Sequence, residues 1–257
     1  MSTRRTVSSA RVRHAPDPVE PPESQTGFAD ATGEAFRPRI VMVAASLDLF
    51  GGQSVQADAL AKRLRADGYH VALVPVNPRF PRPLRWLRRI PYLRTIANEL
   101  IYLPSLIGLR KADVVHVYSA SYFSFLLGPA PALLAARLMR KRAILNYHSG
   151  EADDHMTHWG MLVHPWLCLA HEIVVPSGFL RAVFARHGYN ARLVPNIADT
   201  SNFVFRERSV SAPRLLSTRN LESHYRVETV IRAFALIRRH YPEATLRVAG
   251  EGSEWID

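Results

Sequence analysis

The sequence predicts an α/β protein: a Rossmann-like parallel-sheet domain at residues 37–197, followed by the start of a second domain of the same type. Two observations predict this fold. Short apolar runs alternate with helical patterns along most of the 257 residues, and a glycine pair separates the first apolar run from the first helix. Repeated strand–helix units of this kind form parallel sheets that helices cover. The apolar fraction of 47% is sufficient for such a core.

The first strand and the first helix enclose Gly51 and Gly52. Residues 39–45 form an apolar run typical of a strand that is buried on both faces. The helix that follows has one apolar stripe, formed by Ala57, Leu60, Ala61 and Leu64. Gly68 is the predicted end of that helix. Free amides at a glycine turn before a helix bind phosphate or a sugar hydroxyl, and the structural alternative is a tight turn that needs unusual backbone angles.

Five further strands are predicted downstream, at residues 70–76, 113–119, 142–149, 172–177 and 191–196. The pattern predicts one helix that ends near Met139 and another at 158–170. A third helix begins after Ser177, a suitable N-cap, and ends at Gly188.

The periodic pattern stops after the last of these strands. Residues 198–211 are therefore a predicted linker, and residues 212–257 carry a strand, a helix and a strand. Because this last stretch is shorter than an independent domain, it either extends the first sheet or begins a longer domain.

The amino-terminal residues 1–36 are predicted to be a disordered tail, because they are rich in Pro and Ser and lack apolar periodicity. A transit peptide has a similar composition, but neither a secretory signal nor a spanning helix is expected. The net charge of +11 favours anionic partners. Cys168, the single cysteine, excludes an intrachain disulfide and is predicted to be a buried small hydrophobic residue in a reducing cytoplasm.

Seven stretches together resemble the retaining nucleotide-sugar glycosyltransferases of family 4, which have the GT-B fold of two Rossmann-like domains. In order, they are "GGQSVQADALAKRL", "ADVVHVYSA", "ILNYHSGEADD", "VVPSGFLRAVFARHG", "LVPNIADTSNF", "LLSTRNLE" and "LRVAGEGSE". The resemblance covers residues 39–254. It implies that the N-terminal domain takes the acceptor and that the C-terminal domain takes most of the nucleotide-diphosphate sugar.

The resemblance also implies roles for residues in the N-terminal domain. Gly51 and Gly52 would face the interdomain cleft, where their amides approach the donor phosphates or the acceptor head group. His148, at the end of a strand, would lie beside the reacting sugar as the catalytic residue, where imidazole can hydrogen-bond a hydroxyl or stabilise charge. The alternative for His148 is a core histidine at a strand end.

In the C-terminal domain the resemblance implies four donor-binding residues: Arg219, Arg226, Gly250 and Gly252. Arg219 corresponds to the arginine that contacts the donor pyrophosphate, where a forked guanidinium suits two oxygens. Arg226 is the candidate substitute for a lysine that the family carries a few residues later. The family's pair of spaced glutamates would lie beyond Gly252, so the resemblance implies a truncated donor domain whose activity alone is uncertain.

A group of His and Asp side chains follows the predicted fourth strand. It comprises His148, Asp153, Asp154, His155 and His158. Their spacing matches no strong zinc signature. We therefore expect no metal site and no cofactor, with the nucleotide-diphosphate sugar as co-substrate.

The stretch at residues 77–103 is basic and aromatic, with six arginines before its first acid, Glu99. Arginine next to Trp and Leu suits the surface of an anionic bilayer, and the predicted membrane contacts are Arg85, Trp86, Arg88 and Arg89. The alternative is a solvated loop-helix whose apolar residues pack on the sheet. No nucleic-acid motif accompanies the charge, so a nucleic-acid partner is not expected.

The sequence thus predicts a cytoplasmic glycosyltransferase, peripheral on the inner face of a membrane, that transfers a sugar with retention to a glycan or lipid-linked acceptor. The alternative function is a catalytically incomplete relative that binds anionic lipid or ligand without turnover. A Rossmann oxidoreductase is disfavoured because the chain has no G-x-G-x-x-G turn.

Overall fold

The structure, a computed structural model, describes residues 37–48, 51–119, 121–198, 200–201, 203–207 and 213–255. The predicted tail at 1–36 and part of the predicted linker at 198–211 lie outside these residues. The chain divides into two compact units, Met1–Ala198 and Asp199–Asp257.

The first unit is built on a six-stranded parallel sheet in the order β2-β1-β3-β4-β5-β6. Its strands are β1 (Ile40–Ala44), β2 (Val71–Pro75), β3 (Val114–Ser119), β4 (Arg142–Tyr147), β5 (Glu172–Val175) and β6 (Ala191–Leu193). β1 lies between β2 and β3, with Ile40 opposite both Val71 and Val114. The predicted Rossmann-like α/β fold is confirmed.

Seven α-helices of this unit connect the strands among the described residues: α1 (Gly52–Ala66), α2 (Leu93–Ser105), α3 (Tyr122–Leu127), α4 (Pro129–Leu138), α5 (Ala152–His158), α6 (Gly160–Leu167) and α7 (Gly178–Arg186). Two 3-10 helices, Arg82–Arg89 and Leu106–Lys111, flank α2. Side chains of α1 pack with Met42 of β1 on one face of the sheet. Those of α2 to α7 pack with Val41 and Val43 on the other, so β1 is buried on both faces as predicted.

Three predicted helix boundaries are confirmed by their backbone geometry. Gly68 and Gly188, which follow α1 and α7, have φ of +87° and +81°, a region in which glycine carries no steric cost. At the start of α7 the Ser177 Oγ accepts a hydrogen bond from the Leu180 N–H at 3.2 Å. Local sequence therefore determines where these helices end and begin.

Other predicted boundaries differ from the structure. The helix expected to end near Met139 is two helices, α3 and α4, because Pro129 occupies the first turn of a new helix. The helix expected at 158–170 is also two, and α5 begins earlier, at Ala152. The prediction that Cys168 is buried is wrong: it follows α6 as its C-cap and is exposed.

The second unit contains two parallel strands, β7 (Arg214–Ser217) and β8 (Thr245–Val248), in its described residues. A short 3-10 helix (Ser223–Tyr225) and α8 (Val227–His240) connect them. Val227 is buried, whereas Val230 and Ile231 on the same predicted apolar stripe are exposed. Across the described part of the chain, no helix combines the length and apolar character that crossing a bilayer requires.

Candidate functional site

The strand order of the first unit reverses direction at β1, which has β2 on one side and β3 on the other. In open parallel sheets, ligands bind beyond the carboxyl ends of the strands at such a switch point. The loops that follow β1, β3 and β4 all emerge at this edge. They carry Gly51, Ser121 and His148, respectively.

The loop after β1 is fixed to the loop after β2 by two sets of polar contacts. Ser46 N–H donates to Asn77 Oδ1 at 2.7 Å, and Asn77 Nδ2 donates to Ser46 Oγ at 3.0 Å. Arg79 donates from Nε and Nη2 to the two carboxylate oxygens of Asp48, at 2.7 and 2.8 Å. Bidentate pairs of this kind set orientation as well as energy, so residues 46–48 of this loop are held in place.

The glycine pair begins α1 without strained backbone. Gly51 has an extended φ of −160°, and its N–H donates to Ser54 Oγ at 3.1 Å. A Cβ added at Gly51 or Gly52 would meet no atom of the described residues within 4 Å, and neither glycine has a positive φ. A tight turn with unusual angles therefore does not explain the two glycines, and the described residues leave open space where their side chains would be.

One backbone carbonyl brings the glycine turn and His148 together. The Ser119 carbonyl, at the end of β3, accepts a hydrogen bond from Gln53 Nε2 at 3.1 Å. It also accepts one from the His148 N–H at 3.3 Å. Gln53 lies in the first turn of α1 and His148 directly follows β4, so two of the predicted site segments meet at the switch point.

The His148 ring is half-buried and stacks on Tyr118, with ring centroids 5.4 Å apart. Tyr118 in turn stacks on His116 at 5.2 Å. Burial lowers the pKa of His148, and burial together with His148 lowers the pKa of His116 to about 4. A neutral imidazole at His148 can donate a hydrogen bond from one nitrogen and accept one at the other.

A buried polar network supports the loop after β3. His155 Nε2 accepts the Tyr122 N–H at 2.9 Å, so the neutral ring carries its proton on Nδ1. That proton is donated to the Tyr147 oxygen at 2.8 Å, and the Tyr147 hydroxyl is then free to donate to Ser121 Oγ at 3.0 Å. Tyr122 has φ of +55°, a conformation unfavourable for a bulky residue, and the bond to His155 offsets that cost.

This network has no signature in the sequence, where His155 is one member of a histidine and aspartate group. In the described part of the chain only Asp154 and His158 of that group are paired with each other, with His158 Nδ1 2.9 Å from Asp154 Oδ1. Asp153 pairs with Arg186 at 3.1 Å and with His187 at 3.0 Å, while Asp154 accepts from the Tyr122 hydroxyl. Among the described residues, no group of three or more His, Cys, Asp or Glu side chains is arranged to hold a metal ion.

In the second unit, Arg219 follows the carboxyl end of β7 and is exposed. Its guanidinium carbon lies 5.3 Å from the centre of the Tyr225 ring, a distance at which a cation–π contact is attractive. Gly250 and Gly252 lie beside the same loop. A Cβ at Gly250 would be 2.2 Å from the Arg219 carbonyl oxygen, and one at Gly252 would be 2.2 Å from that of Leu221.

Close contacts within the chain therefore explain why Gly250 and Gly252 are glycines. The loops after β7 and β8 run against one another, joined by bonds from Leu221 N–H to Glu251 O and from Glu254 N–H to Leu221 O, each 2.9 Å. A ligand role for Gly250 and Gly252 stays a prediction, and their packing fixes the backbone that carries Arg219.

Arg226 precedes α8 with φ of +52°. It lines an open pocket of about 310 Å³ together with Ser223, Glu228 and Glu254. Two carboxylates next to the arginine disfavour a phosphate at that place, so Arg219 is the better supported of the two arginine predictions.

The sequence model of Glycosyltransferase Family 4 matches residues 50–202, which is more than half of the chain. The chain belongs to this family. The match includes the glycine turn, the His155 network and His148.

Solved structures agree with this family 4 fold. The chain superposes on the glycotransferase of kitacinnamycin with a TM-score of 0.51 at 15% identity, covering 86% of this chain and 70% of that one. It superposes on a structure described as a UDP-N-acetylglucosamine 2-epimerase of Listeria monocytogenes with 0.53 at 11% identity, covering 85% and 64%.

The UDP-GlcNAc 2-epimerase of Methanocaldococcus jannaschii gives a TM-score of 0.50 at 10% identity, covering 84% of this chain and 66% of that one. The family 4 chain therefore spans less than two thirds of the length of the two epimerases. No curated protein matches its sequence. At these identities the likeness shows the fold, and the GT-B prediction is confirmed.

The basic, aromatic stretch of this family 4 chain forms an exposed surface, which we call the α2 surface. It consists of the 3-10 helix Arg82–Arg89 and the outward side of α2. Its exposed apolar side chains include Trp86 (57%), Leu93 (44%), Ile96 (57%), Leu100 (71%) and Leu103 (47%). Phe80 is buried, whereas the exposure of these five disagrees with the alternative that they pack on the sheet.

Three of the predicted membrane contacts, Arg85, Arg88 and Arg89, belong to the 3-10 helix of the α2 surface. Arg85 and Arg89 are exposed, and Arg94 follows in the first turn of α2. The first unit thus brings together Gly51, Gly52 and His148 at one site and the predicted membrane residues at one surface. Arg219, Arg226, Gly250 and Gly252 belong to the second unit.

Proposed function

We propose that the protein is a glycosyltransferase that moves a sugar from a nucleotide-diphosphate sugar to a glycan or lipid-linked acceptor with retention of configuration. The observation that carries the proposal is the shared Ser119 carbonyl, at which the glycine-led helix α1 and His148 meet. In a family 4 chain this meeting point lies at the switch point of the sheet, where ligands bind.

The residues present suit the chemistry of that transfer. The bond between the anomeric carbon and the diphosphate breaks as the acceptor hydroxyl oxygen bonds to that carbon. The leaving diphosphate keeps the electron pair, gains negative charge and accepts the proton that the hydroxyl loses. Arg219 would offset this charge because its guanidinium stays protonated and forks onto two oxygens. His148, neutral at pH 7 because burial lowers its pKa, would hydrogen-bond a sugar hydroxyl.

The open space at Gly51 and Gly52 supports a ligand that closely approaches the start of α1. Helix starts favour anionic groups, since their first amides have no partner within the helix. Among the described residues the Gly52 amide has no hydrogen-bond acceptor, whereas that of Gly51 is taken by Ser54. Gly52 is therefore the better of the two for contact with a phosphate or an acceptor head group.

The neighbours in structure support the class of donor. Two of them are described as UDP-N-acetylglucosamine 2-epimerases, whose substrate is a nucleotide-diphosphate sugar, and a third is a glycotransferase. The proposed reaction needs no resident cofactor or metal, because the charge on the leaving group is met by arginine.

The α2 surface supports a peripheral location on the inner face of an anionic membrane. Basic residues are attracted to the negative leaflet, and exposed Trp, Leu and Ile can insert below the head groups. A lipid-linked acceptor would then be presented to the first unit without any spanning helix. The same surface also favours the second candidate function, a relative that binds anionic lipid without turnover.

The donor proposal is tested by calorimetric titration of the protein with uridine, thymidine, guanosine and adenosine diphosphates. We expect one of them to bind, and we expect Arg219→Ala to weaken it by about 1.5–3 kcal/mol, the range for a charged hydrogen bond. Arg238→Ala, an exposed arginine on α8, is the matched control and should change nothing. Affinity equal to wild type in Arg219→Ala would remove Arg219 from the donor site.

Turnover separates the two candidate functions. With a set of sugars carried on the nucleoside diphosphate that the titration identifies, release of that nucleoside diphosphate in the presence of membrane extract should require His148. His148→Ala should lower the rate and leave nucleotide affinity intact. Binding of vesicles and nucleotide without any release in wild type would favour the non-catalytic relative.

A further inference from the structure

A basic pocket lies at the amino-terminal edge of the sheet in the first unit. It is open, has a volume of about 730 Å³, and is lined by Arg137, Arg140, Lys141, Arg142 and His171. Arg142 begins β4, the strand that His148 follows. With about 3.3 Å per strand residue, the pocket lies about 20 Å from the candidate site, so it is a separate feature.

Two hydrogen-bond donors face one another in this pocket. His171 Nδ1 accepts the Ala143 N–H at 3.0 Å, so the neutral ring carries its proton on Nε2. That Nε2 lies 3.3 Å from Arg137 Nη1, and a guanidinium has no acceptor. Neither Arg137 nor His171 Nε2 can accept a hydrogen bond from the other, and an oxygen of a bound anion would accept one from each.

The charges around the pocket do not balance. Arg142 lies 3.8 Å from Glu172, but the same carboxylate pairs more closely with Arg192, at 2.8 Å. Lys141 is near Asp113, which Arg39 already holds. Within the described residues neither Arg137 nor Arg140 forms an ion pair, so at least two positive charges remain without a counter-charge.

Arg140 occupies a position that favours glycine. It follows α4 with φ of +55°, and the next residue, Lys141, donates its N–H back to the Ala136 carbonyl at 2.8 Å. This is the C-terminal motif in which glycine is the usual residue, because a side chain is unfavourable in the left-handed region. An arginine there adds charge to the pocket and carries a conformational cost. The local backbone favours glycine, so local folding does not explain the arginine.

We propose that this pocket is a binding site for an anion that carries two or more phosphate oxygens, such as a diphosphate or a phosphate monoester. The guanidinium groups of Arg137 and Arg140 would fork onto its oxygens, and His171 Nε2 would donate a further hydrogen bond. The site is independent of the proposed glycosyl transfer, because none of its residues belongs to the candidate site at the other end of the sheet.

The test uses inorganic pyrophosphate and the whole protein in an Arg219→Ala background, so that the donor site does not contribute. We expect calorimetric binding that Arg137→Gln and Arg140→Gly each weaken about tenfold, as for the loss of a charged hydrogen bond. Arg238→Gln, on the exposed side of α8, is the control. In addition, Arg140→Gly should raise Tm without ligand, because glycine suits the left-handed position.

If Arg140→Gly binds pyrophosphate more weakly and yet has a higher Tm, unfolding is excluded as the cause of the weaker binding. If neither pyrophosphate binding at about millimolar concentration nor binding to vesicles with phosphatidic acid is weakened by the two variants relative to the control, the proposal is wrong. The vesicle arm compares phosphatidic acid, whose head group is a phosphate monoester, with a phosphate diester lipid at equal negative charge, so that the α2 surface contributes equally to both. Variants that lose binding only to the phosphatidic acid vesicles assign the site to a lipid source, and variants that lose pyrophosphate binding assign it to a free phosphate.

Discussion

Helices α2 and α4 pack on the same face of the sheet, yet they use their apolar side chains differently. In α4, four apolar residues of one side are buried, Ala130, Ala132, Leu133 and Ala136, and Leu134 and Leu138 are exposed. In α2 only Ala97 and Tyr102 are buried, whereas Leu93, Ile96, Leu100 and Leu103 are exposed. An apolar pattern in a sequence therefore indicates that a stripe favours burial, but it does not identify what covers the stripe.

The difference follows from what lies around each helix. α4 connects β3 with β4 in the middle of the sheet and contacts α3 and α6 as well as both strands. α2 is tied down mainly at its end, where the buried Tyr102 hydroxyl donates to the Gly128 carbonyl at 2.7 Å. Its outward side contributes to the α2 surface, for which we propose a membrane rather than another helix.

The largest expected effect is a difference in the free energy of unfolding lost when a leucine of α4 or of α2 is replaced by alanine. Leu133→Ala, at a fully buried leucine of α4, should lower the free energy of unfolding by about 2–5 kcal/mol because it leaves a cavity. Leu100→Ala in α2, a leucine that is 71% exposed, should change it by about 0.5 kcal/mol or less. Chemical denaturation measures both. Equal losses for the two leucines would mean that α2 is covered in solution.

The next prediction concerns what covers α2. Replacing Arg85, Arg88 and Arg89 by Gln should weaken binding to anionic vesicles by about 3 kcal/mol at low salt, since each basic residue contributes about 1 kcal/mol at such a surface. Co-sedimentation with anionic and neutral vesicles measures this loss. Arg238→Gln with Arg239→Gln on α8 is the control. An absence of wild-type binding to either vesicle type would leave the α2 surface simply solvated.

A smaller effect is expected from the buried hydrogen bonds of the Tyr147 hydroxyl. Tyr147→Phe removes the hydroxyl between His155 and Ser121, and a buried N–H left without its acceptor should cost about 1–3 kcal/mol. Tyr92→Phe at the start of α2, 85% exposed, should be close to neutral. Urea unfolding of the two variants gives both numbers, and a neutral Tyr147→Phe would contradict the proposed network.

The last prediction concerns pH. Burial lowers the pKa of His155 from 6.5 to about 4, so below pH 6.5 the unfolded chain binds more protons than the folded one. The free energy of unfolding should therefore be highest above pH 6.5 and fall as the pH falls towards 4, with His116 acting in the same direction. His155→Gln should flatten this decrease in a urea series, and exposed His158→Gln should not.

Much of the fold could be predicted because local signals determine it. The alternation of strands and helices, the stops at Gly68 and Gly188, and the N-cap at Ser177 all depend on residues close in sequence. Where two helices follow one another, as at Gly128 and Pro129, the apolar pattern runs through the break and hides it. The exposure of Cys168 depends on which side of α6 faces the core, which a short apolar segment does not specify.

The sequence predicts which segments form the candidate site, but it does not predict the contacts between them. The glycine turn and His148 were identified from motifs, but the Ser119 carbonyl that joins them is a backbone group with no sequence signal. Tyr147 and His155 meet across the turn that follows β4, and each also suits an ordinary core position. Such pairings are decided by tertiary packing, so a sequence alone does not reveal them.

Gly250 and Gly252 have a consequence for how relatives of this protein should be compared. Any larger residue at either place would collide with a carbonyl of the neighbouring loop at 2.2 Å. Purifying selection would therefore retain both glycines even in descendants that had lost every ligand. An alignment column of invariant glycine at these positions would report on inheritance of the fold, and under the donor role that we propose for Arg219 its column would distinguish active lineages from inactive ones.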